Sequence, residues 1–263
     1  MIFNEIADEI LGSKKYADID RNVVERISAG VIPKYKSRKN IIKAIKKELH
    51  IIHESFLQDD CHVRAEKMIR NYSGDAMKKD KEFAIRLLSL HSSTKERLGQ
   101  AEEIYDYISK FIEADDKVID LGCGFNPLAI PYLAVMPSDY TAYDINAETI
   151  QTLNDFFSIC GLPYRADICD AAIDEPDIHA DVVLMLKLFP LLERQKKGRG
   201  FELIRTLNAR KFIISFPLKS ASGKEKGMEA YYSNYFEDGL PSEFSIVDRQ
   251  MFYNEMFYIL KTK

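Results

Sequence analysis

From Glu113 onward, short apolar runs of strand length alternate with amphipathic stretches of helix length, and this alternation limits the chain to a small set of folds. The runs are Lys117–Leu121, Tyr140–Tyr143, Tyr164–Ala166, Asp181–Leu186 and Phe212–Phe216. Strands separated in this way build a mostly parallel sheet covered on both faces, because each parallel crossover needs a connection that a helix supplies. Glu243–Arg249 and Glu255–Leu260 lie too close together for a crossover and predict an antiparallel hairpin at the end of the sheet. Before Glu113, apolar residues recur three and four apart with no period-two run. That spacing predicts helices over about 2–12, 20–30, 38–57, 61–72, 79–90 and 94–112. Ser93-Thr94-Lys95-Glu96 has the form of a capping box and predicts a helix start near Thr94. The expected organisation is an all-helical region, residues 1–92, followed by a doubly wound α/β domain, residues 93–263.

The 263 residues are 46% hydrophobic and 30% charged, enough apolar surface for a sizeable core and too much for a disordered chain. The longest apolar run, Val182 to Leu192, is broken by Lys187 and Pro190 and falls short of the roughly 20 residues that cross a bilayer. Glu5, Asp8 and Glu9 give the first segment the wrong sign for targeting, so a cytoplasmic protein with no membrane partner is expected. Cys61, Cys123, Cys160 and Cys169 form no CxxC pair and read as reduced thiols. His50, His53, Cys61 and His62 match no standard zinc spacing, so no metal is expected.

The 37 basic and 41 acidic residues leave a net charge of −4, unevenly spread. Seven basic residues and no acidic one lie between Lys34 and Lys47, and Lys187 to Lys226 carries eleven basic residues against three acidic ones. Basic clusters attract polyanions, which makes nucleic acid one reading and ordinary solvated helix faces the other.

Val118-Ile119-Asp120-Leu121-Gly122-Cys123-Gly124 carries a buried strand into a glycine turn, and Asp144 closes the next strand 20 residues after Gly124. A nucleotide-binding α/β fold places an acidic residue on the ribose at this spacing, while the glycines let the backbone approach the ligand. A Gly-x-Gly pair alone also serves as a plain tight turn. The third glycine of the dinucleotide pattern is missing, and Asn126-Pro127 stands where a pyrophosphate-binding helix would begin. This departure counts against NAD and favours an adenosine ligand without phosphates, such as S-adenosylmethionine (SAM).

Further segments extend the pattern: Ser13-Lys14-Lys15-Tyr16, His91-Ser92-Ser93-Thr94-Lys95-Glu96-Arg97, Gly122-Cys123-Gly124-Phe125-Asn126-Pro127-Leu128 and Lys187-Leu188-Phe189-Pro190-Leu191-Leu192-Glu193. Ile214-Ser215-Phe216-Pro217-Leu218-Lys219-Ser220, Gly223-Lys224-Glu225-Lys226-Gly227-Met228-Glu229 and Asn254-Glu255-Met256 follow. With these, nearly the whole chain resembles the aminoglycoside-resistance 16S rRNA guanine-N7 methyltransferases of the Arm/Rmt group. The resemblance implies a Rossmann-like SAM-dependent methyltransferase domain with a seven-stranded sheet. It implies that Arg97 holds the SAM carboxylate, that Gly122 and its neighbours line the methionine part, that Asp144 binds the ribose and that Asp167 reads the adenine edge. His91, Thr94, Gly124, Asn126, Ile145, Ile168 and Lys187 complete the implied cofactor set. A guanidinium suits a carboxylate bidentately, and a carboxylate accepts two hydroxyls. Apart from the resemblance, Arg97 reads as a surface ion pair and Asp167 as a loop cap.

On the target side the resemblance implies Lys187, Glu193, Lys219 and Glu255, and it implies RNA contacts by Lys14, Lys15, Lys43, Lys46, Lys47, Lys219, Lys224 and Lys226. Lys187 interrupts an apolar strand end at the sheet edge where α/β folds bind ligands, though a lysine snorkelling to water is the plainer reading. Glu193 and Glu255 are expected to hold neighbouring basic residues, since a carboxylate facing phosphates repels them. The implied substrate is guanosine 1405 in the decoding A site of an assembled small ribosomal subunit. The enzyme would act as a monomer, and its methyl group would block 4,6-disubstituted deoxystreptamine drugs. Guanine N7 has an in-plane lone pair in the neutral base, so no general base is nominated, and catalysis consists of placing N7 in line with the methyl–sulfur bond. A flipped base is expected to stack on an aromatic such as Phe189, whose alternative is a core position. N1 of the adjacent A-site adenosine, a small-molecule acceptor, or a SAM- or ribosome-binding protein without transfer stay open as alternatives.

Overall fold

Seven strands form one sheet in the order β3-β2-β1-β4-β5-β7-β6. They are β1 (Lys117–Leu121), β2 (Asp139–Asp144), β3 (Arg165–Ile168), β4 (Ala180–Leu186), β5 (Ala209–Pro217), β6 (Phe244–Phe252) and β7 (Glu255–Thr262). The computed structural model describes residues 2–54, 60–74, 76–174, 179–218 and 228–263. The first five strands are parallel, and β7 inserts antiparallel between β5 and β6, as the closely spaced last two runs required. Every run read from the sequence falls on a strand, with ends that move by up to three residues. Ladder pairing rather than hydropathy sets those ends: Asp139 and Asp144 belong to β2 because they pair with Lys117 and Ile168. The strand order reverses between β1 and β4, which opens a crevice beyond their carboxyl ends.

Helices α1 (Ile2–Leu11), α2 (Arg21–Val31) and α3 (Arg38–Leu49) share an apolar core of their own that includes Ile6, Ile10, Val23, Val24, Ile27, Ile41 and Ile45. Asp20 and Ser37 cap α2 and α3 by accepting the amides of Asn22 and Asn40. Helices α4 (Cys61–Arg70), α5 (Lys81–Leu88), α7 (Ala101–Ser109) and α8 (Ala147–Ile159) contribute instead to the core that reaches the sheet through Val118, Ala142, Val182 and Leu184. The apolar core therefore changes between Leu49 and Cys61, earlier than residue 92, because α4 and α5 turn their apolar faces toward the sheet. Helices α9 (Phe189–Gln195), α10 (Arg199–Thr206) and α11 (Met228–Gly239) accompany the second sheet core, around Ile119, Val183 and Ile214. Among the described residues no helix is long and apolar enough to cross a membrane.

Two helix expectations need correction. The stretch 94–112 is not one helix: a short α6 (Ser92–Lys95) and a 3-10 turn, Leu98–Gln100, precede α7. Likewise α3 stops at Leu49 and passes into a π-helical turn, His50–Glu54. The capping box is not formed either, since His91 occupies the cap position. Glu96 faces Lys187 instead, and the Thr94 hydroxyl donates to the Leu88 carbonyl at 2.6 Å. A buried ammonium is a stronger partner for a carboxylate than one backbone amide.

Candidate active site

An open cleft lies at the carboxyl ends of β1, β2 and β4, where α/β sheets of this order bind ligands. Its floor is the turn after β1, where Gly122 and Gly124 take φ values of +59° and +50°. A Cβ on Gly122 would stand 2.8 Å from Leu188 Cδ1, and one on Gly124 would stand 3.0 Å from the His91 ring. The following segment, Asn126–Tyr132, is a 3-10 helix with proline in its first turn and Pro131 inside it. Proline supplies no N–H, so the α-helix N-terminus that cradles a pyrophosphate is missing, as Asn126-Pro127 implied. Asp144 ends β2, with Oδ2 accepting the Gly124 amide at 2.9 Å and Oδ1 accepting the Asn146 amide at 3.0 Å. Burial raises its pKa, and these amides oppose the rise. The remaining carboxylate lone pairs suit a vicinal diol.

Behind the turn runs a buried polar network. Arg97 donates from Nε and Nη2 to Glu255 Oε2 and Oε1, each at 2.7 Å, and from Nη1 to Asn126 Oδ1 at 3.1 Å. Both charged side chains are 3% exposed. Burial acts to lower the Arg97 pKa, but Glu255 outweighs it and holds the guanidinium above its usual pKa. Burial likewise acts to raise Glu255, and the charges of Arg97 and Lys187 reverse the effect. Asn126 Nδ2 donates to Asp120 Oδ2 at 2.8 Å, which also accepts the Tyr140 hydroxyl at 2.7 Å. Ser215 donates to Glu255 and accepts the Lys187 amide at 2.9 Å. Lys187 follows β4 at φ +59°, a left-handed conformation that costs a non-glycine residue of order 1–2 kcal/mol. Its buried Nζ donates to the Ser93 carbonyl at 2.9 Å and Glu96 Oε2 at 2.7 Å. Burial lowers its pKa, with the positive Arg97 adding to the fall and Glu255 and Glu96 opposing it.

Of the implied cofactor residues, His91, Arg97, Gly122, Gly124, Asn126, Asp144, Ile145 and Lys187 line the cleft together. Thr94, Asp167 and Ile168 do not. Thr94 is spent on the turn before α6, Asp167 is 58% exposed beside Arg165, and Ile168 is 41% exposed. The acidic residue lining that part of the cleft is Asp170, just beyond the end of β3. Of the residues expected on the target side, Glu255 holds the basic Arg97. Glu193 holds no basic residue among the described ones: it accepts the Gly198 and Gly200 amides at 2.7 and 2.8 Å and the Tyr235 hydroxyl, fixing the start of α10. Phe189 is not a stacking platform. It is fully buried among Phe201, Phe216 and Phe236, as the first residue of α9 with its ring in the core.

The two basic stretches part company. Lys36, Lys39, Lys43 and Lys47 are exposed, with Lys46 half-buried over the Tyr16 ring and Lys14 and Lys15 exposed nearby in sequence. In the second stretch Lys187 and Arg199 are buried, Lys196, Arg205, Arg210 and Lys211 pair with Glu202, Glu243, Asp116 and Glu113, and Arg194 and Lys197 are exposed. Lys219, Lys224 and Lys226 lie outside the described residues. Among the described residues the one candidate metal group is Glu113, Asp115 and Asp116, and Asp116 is engaged by Arg210; the His53 side chain lies outside them. Sequence reading missed Arg26, Ile52, Asn146, Asp170, Leu188 and Gln195, which also line the cleft and which no spacing rule marks.

The comparisons agree with this architecture. The chain is 33% identical over 261 residues to the 16S rRNA (guanine(1405)-N(7))-methyltransferase of Serratia marcescens, covering 99% of both chains. It superposes on the crystal structure of the 16S rRNA methyltransferase RmtF in complex with S-adenosyl-L-homocysteine with a TM-score of 0.90 at 31% identity, covering 99% of this chain and 98% of that one. An rRNA methylase from Escherichia coli gives a TM-score of 0.84 at 30% identity, with 99% and 100% covered. A family model described as ribosomal RNA methyltransferase (FmrO) matches residues 12–259, and with the cleft, its glycine turn and its terminal acidic residue in place, the chain belongs to that family.

Proposed function

We propose that this chain transfers a methyl group from SAM to N7 of guanosine 1405 in 16S rRNA, acting as a cytoplasmic monomer on the assembled small subunit and conferring resistance to 4,6-disubstituted deoxystreptamines. The single observation that carries this reading is the cleft in which Gly122, Gly124, Asp144 and Arg97 converge, in a chain similar over its whole length to enzymes with that name. The donor set fits the cofactor. Asp144 offers acceptors to a ribose, Arg97 offers donors to a carboxylate, and the glycine turn admits a ligand without a pyrophosphate. SAM supplies an electrophilic methyl group when bound. The protein's part is to orient it: Glu255 and Asn126 fix the guanidinium plane of Arg97, while the Gly124 and Asn146 amides fix Asp144. N7 needs no deprotonation, so Lys187 and Glu255 are assigned to holding the target side. Asp170 is assigned the adenine-edge role in place of Asp167.

The test is methyl transfer from labelled SAM to purified small subunits, with naked 16S rRNA in parallel and the modified nucleotide mapped afterwards. A 7-methylguanosine at position 1405 formed on subunits supports the reading; label at N1 of the neighbouring adenosine, or on neither substrate, overturns it. Gly122→Ala is expected to weaken S-adenosylhomocysteine binding at least about tenfold in a calorimetric titration, because it adds left-handed strain to a clash with Leu188. Unchanged affinity would show that the turn does not touch the ligand.

The first 92 residues are proposed to dock folded rRNA, with the lysine face of α3 meeting phosphates. Replacing Lys46 and Lys47 together by Glu is expected to weaken subunit binding by more than tenfold at low salt and to reduce its salt dependence, while S-adenosylhomocysteine affinity stays unchanged. A parallel loss of cofactor affinity would refute this division of labour.

A further inference from the structure

Arg26 belongs to α2, in the helical layer, yet its side chain ends in the wall of the cleft. Its Nε donates to Asp170 Oδ2 at 2.7 Å and its Nη2 to Gln195 Oε1 at 2.9 Å. Asp170 lies just beyond β3 and Gln195 closes α9, so one guanidinium ties α2 to two elements that flank the cleft. The side chains of Arg26 and Asp170 are 21% and 7% exposed, so water screens this pair less than a surface ion pair. Asp170 is itself held: its Oδ1 accepts the Ala172 amide at 3.1 Å.

A second contact, made by backbone, reaches the same cleft. Ile19 bridges Asn146, the Asp20 amide donates to the Ile145 carbonyl at 3.0 Å, and the Ala147 amide donates to the Asp18 carbonyl at 2.8 Å. These bonds hold the segment that follows Asp144, the carboxylate assigned to the ribose. Ile145 also packs against the core of α1–α3, and Ile52, just after α3, lines the cleft.

We propose that Arg26 is a positioning residue that latches the N-terminal helices across the SAM cleft, so that the helices complete the cofactor site as well as docking RNA. The inference rests on the cofactor reading above. Removing the latch leaves Asp170 without its cationic partner and opens one wall, which raises the rate at which the cofactor leaves. A simple staple between the layers would lower thermal stability without changing ligand affinity.

The experiment is calorimetric titration of S-adenosylhomocysteine into the full chain and its Arg26→Ala, Arg26→Lys and Gln195→Ala variants, paired with hydrogen exchange of the α2 amides with and without ligand. Arg26→Ala is expected to weaken binding about tenfold. Arg26→Lys is expected to fall in between, since an ammonium reaches Asp170 but cannot span both acceptors. Ligand is expected to slow exchange in α2 in the unmodified chain and not in Arg26→Ala. In turnover, the KM for SAM rises while kcat at saturating SAM changes less than twofold. If Arg26→Ala and Gln195→Ala bind as tightly as the unmodified chain and ligand leaves α2 exchange unaltered, the latch is overturned and the cofactor reading stands. If the unmodified chain does not bind S-adenosylhomocysteine, the cofactor reading itself falls. Should Arg26→Ala fail to fold, the Lys and Gln195 variants decide between the same outcomes.

Discussion

Glu255→Ala is expected to cost about 3–5 kcal/mol of stability, the toll of leaving a buried charge without its counterion. The charge left behind is Arg97, whose Nε and Nη2 both lose their acceptor while Asn126 retains only Nη1. Arg97 cannot shed its proton to relieve the strain, so it must draw in water or move. For a chain of this length such a loss lowers Tm by on the order of 10 °C. Ser215 and, through its amide partner, the turn after β4 at Lys187 loosen as well, so methyl transfer is expected to be lost along with stability. A double variant, Arg97→Met with Glu255→Met, separates the two effects. It is expected to recover most of the stability, because a buried ion pair replaced by apolar groups of similar volume costs little, and to bind no cofactor. The readouts are urea unfolding and S-adenosylhomocysteine titration. A loss below about 1 kcal/mol for Glu255→Ala would mean that another carboxylate compensates Arg97.

This pair also shows where sequence reading stops. The strand Val118–Leu121, the glycine turn and Asp144 are legible because each signal is local: apolar runs, the backbone freedom of glycine and a fixed spacing. Arg97 stands in a stretch of helical periodicity, and on local grounds it reads as a surface ion pair. Its partner lies 158 residues away, on the first residue of β7, so only the sheet order brings them together. The same limit explains the basic stretch from Lys187 to Lys226. A local excess of charge says nothing of distant partners: Arg210 meets Asp116 and Asp181, and Arg205 meets Glu243, all distant in sequence. The lysines around α3 kept their exposure because that helix buries a stripe of Ile41, Ile45 and Leu49 and leaves its remaining faces to solvent. Asp167 and Asp170 differ by three positions, and which one lines the cleft depends on where β3 stops, a property of its pairing with β2.

Asp120 yields the second large effect, and its signature is pH dependence. The side chain is fully buried beneath the glycine turn, Oδ2 accepts from Asn126 and Tyr140, and Oδ1 has no hydrogen-bond partner among the described residues. Burial pushes its carboxyl up from 3.8 to about 6, against the pull of those two hydrogen bonds and of Arg97. A carboxyl whose pKa is higher folded than unfolded makes the native state bind the proton more tightly. Its contribution to stability is therefore greatest below the unfolded value and declines as pH rises through the window from 3.8 to about 6. Asp120→Asn removes the titration and keeps an acceptor for Asn126 and Tyr140, while its own amide N–H groups face the place of the unpartnered Oδ1. Those N–H groups impose a penalty of about 1–3 kcal/mol that does not vary with pH, so the difference between variant and unmodified protein is informative through its slope. Between pH 4.5 and 7.5 that difference is expected to move by about 2 kcal/mol in favour of Asn, read from urea unfolding at a series of pH values. A flat difference would show that Asp120 titrates at its ordinary value. Asp120 joins Tyr140 to Asn126 and, through Asn126, to Arg97, so the proton that relieves its burial also removes a negative charge from the support of the cleft. Asp120's own contribution to stability is thus expected to rise as pH falls below about 6.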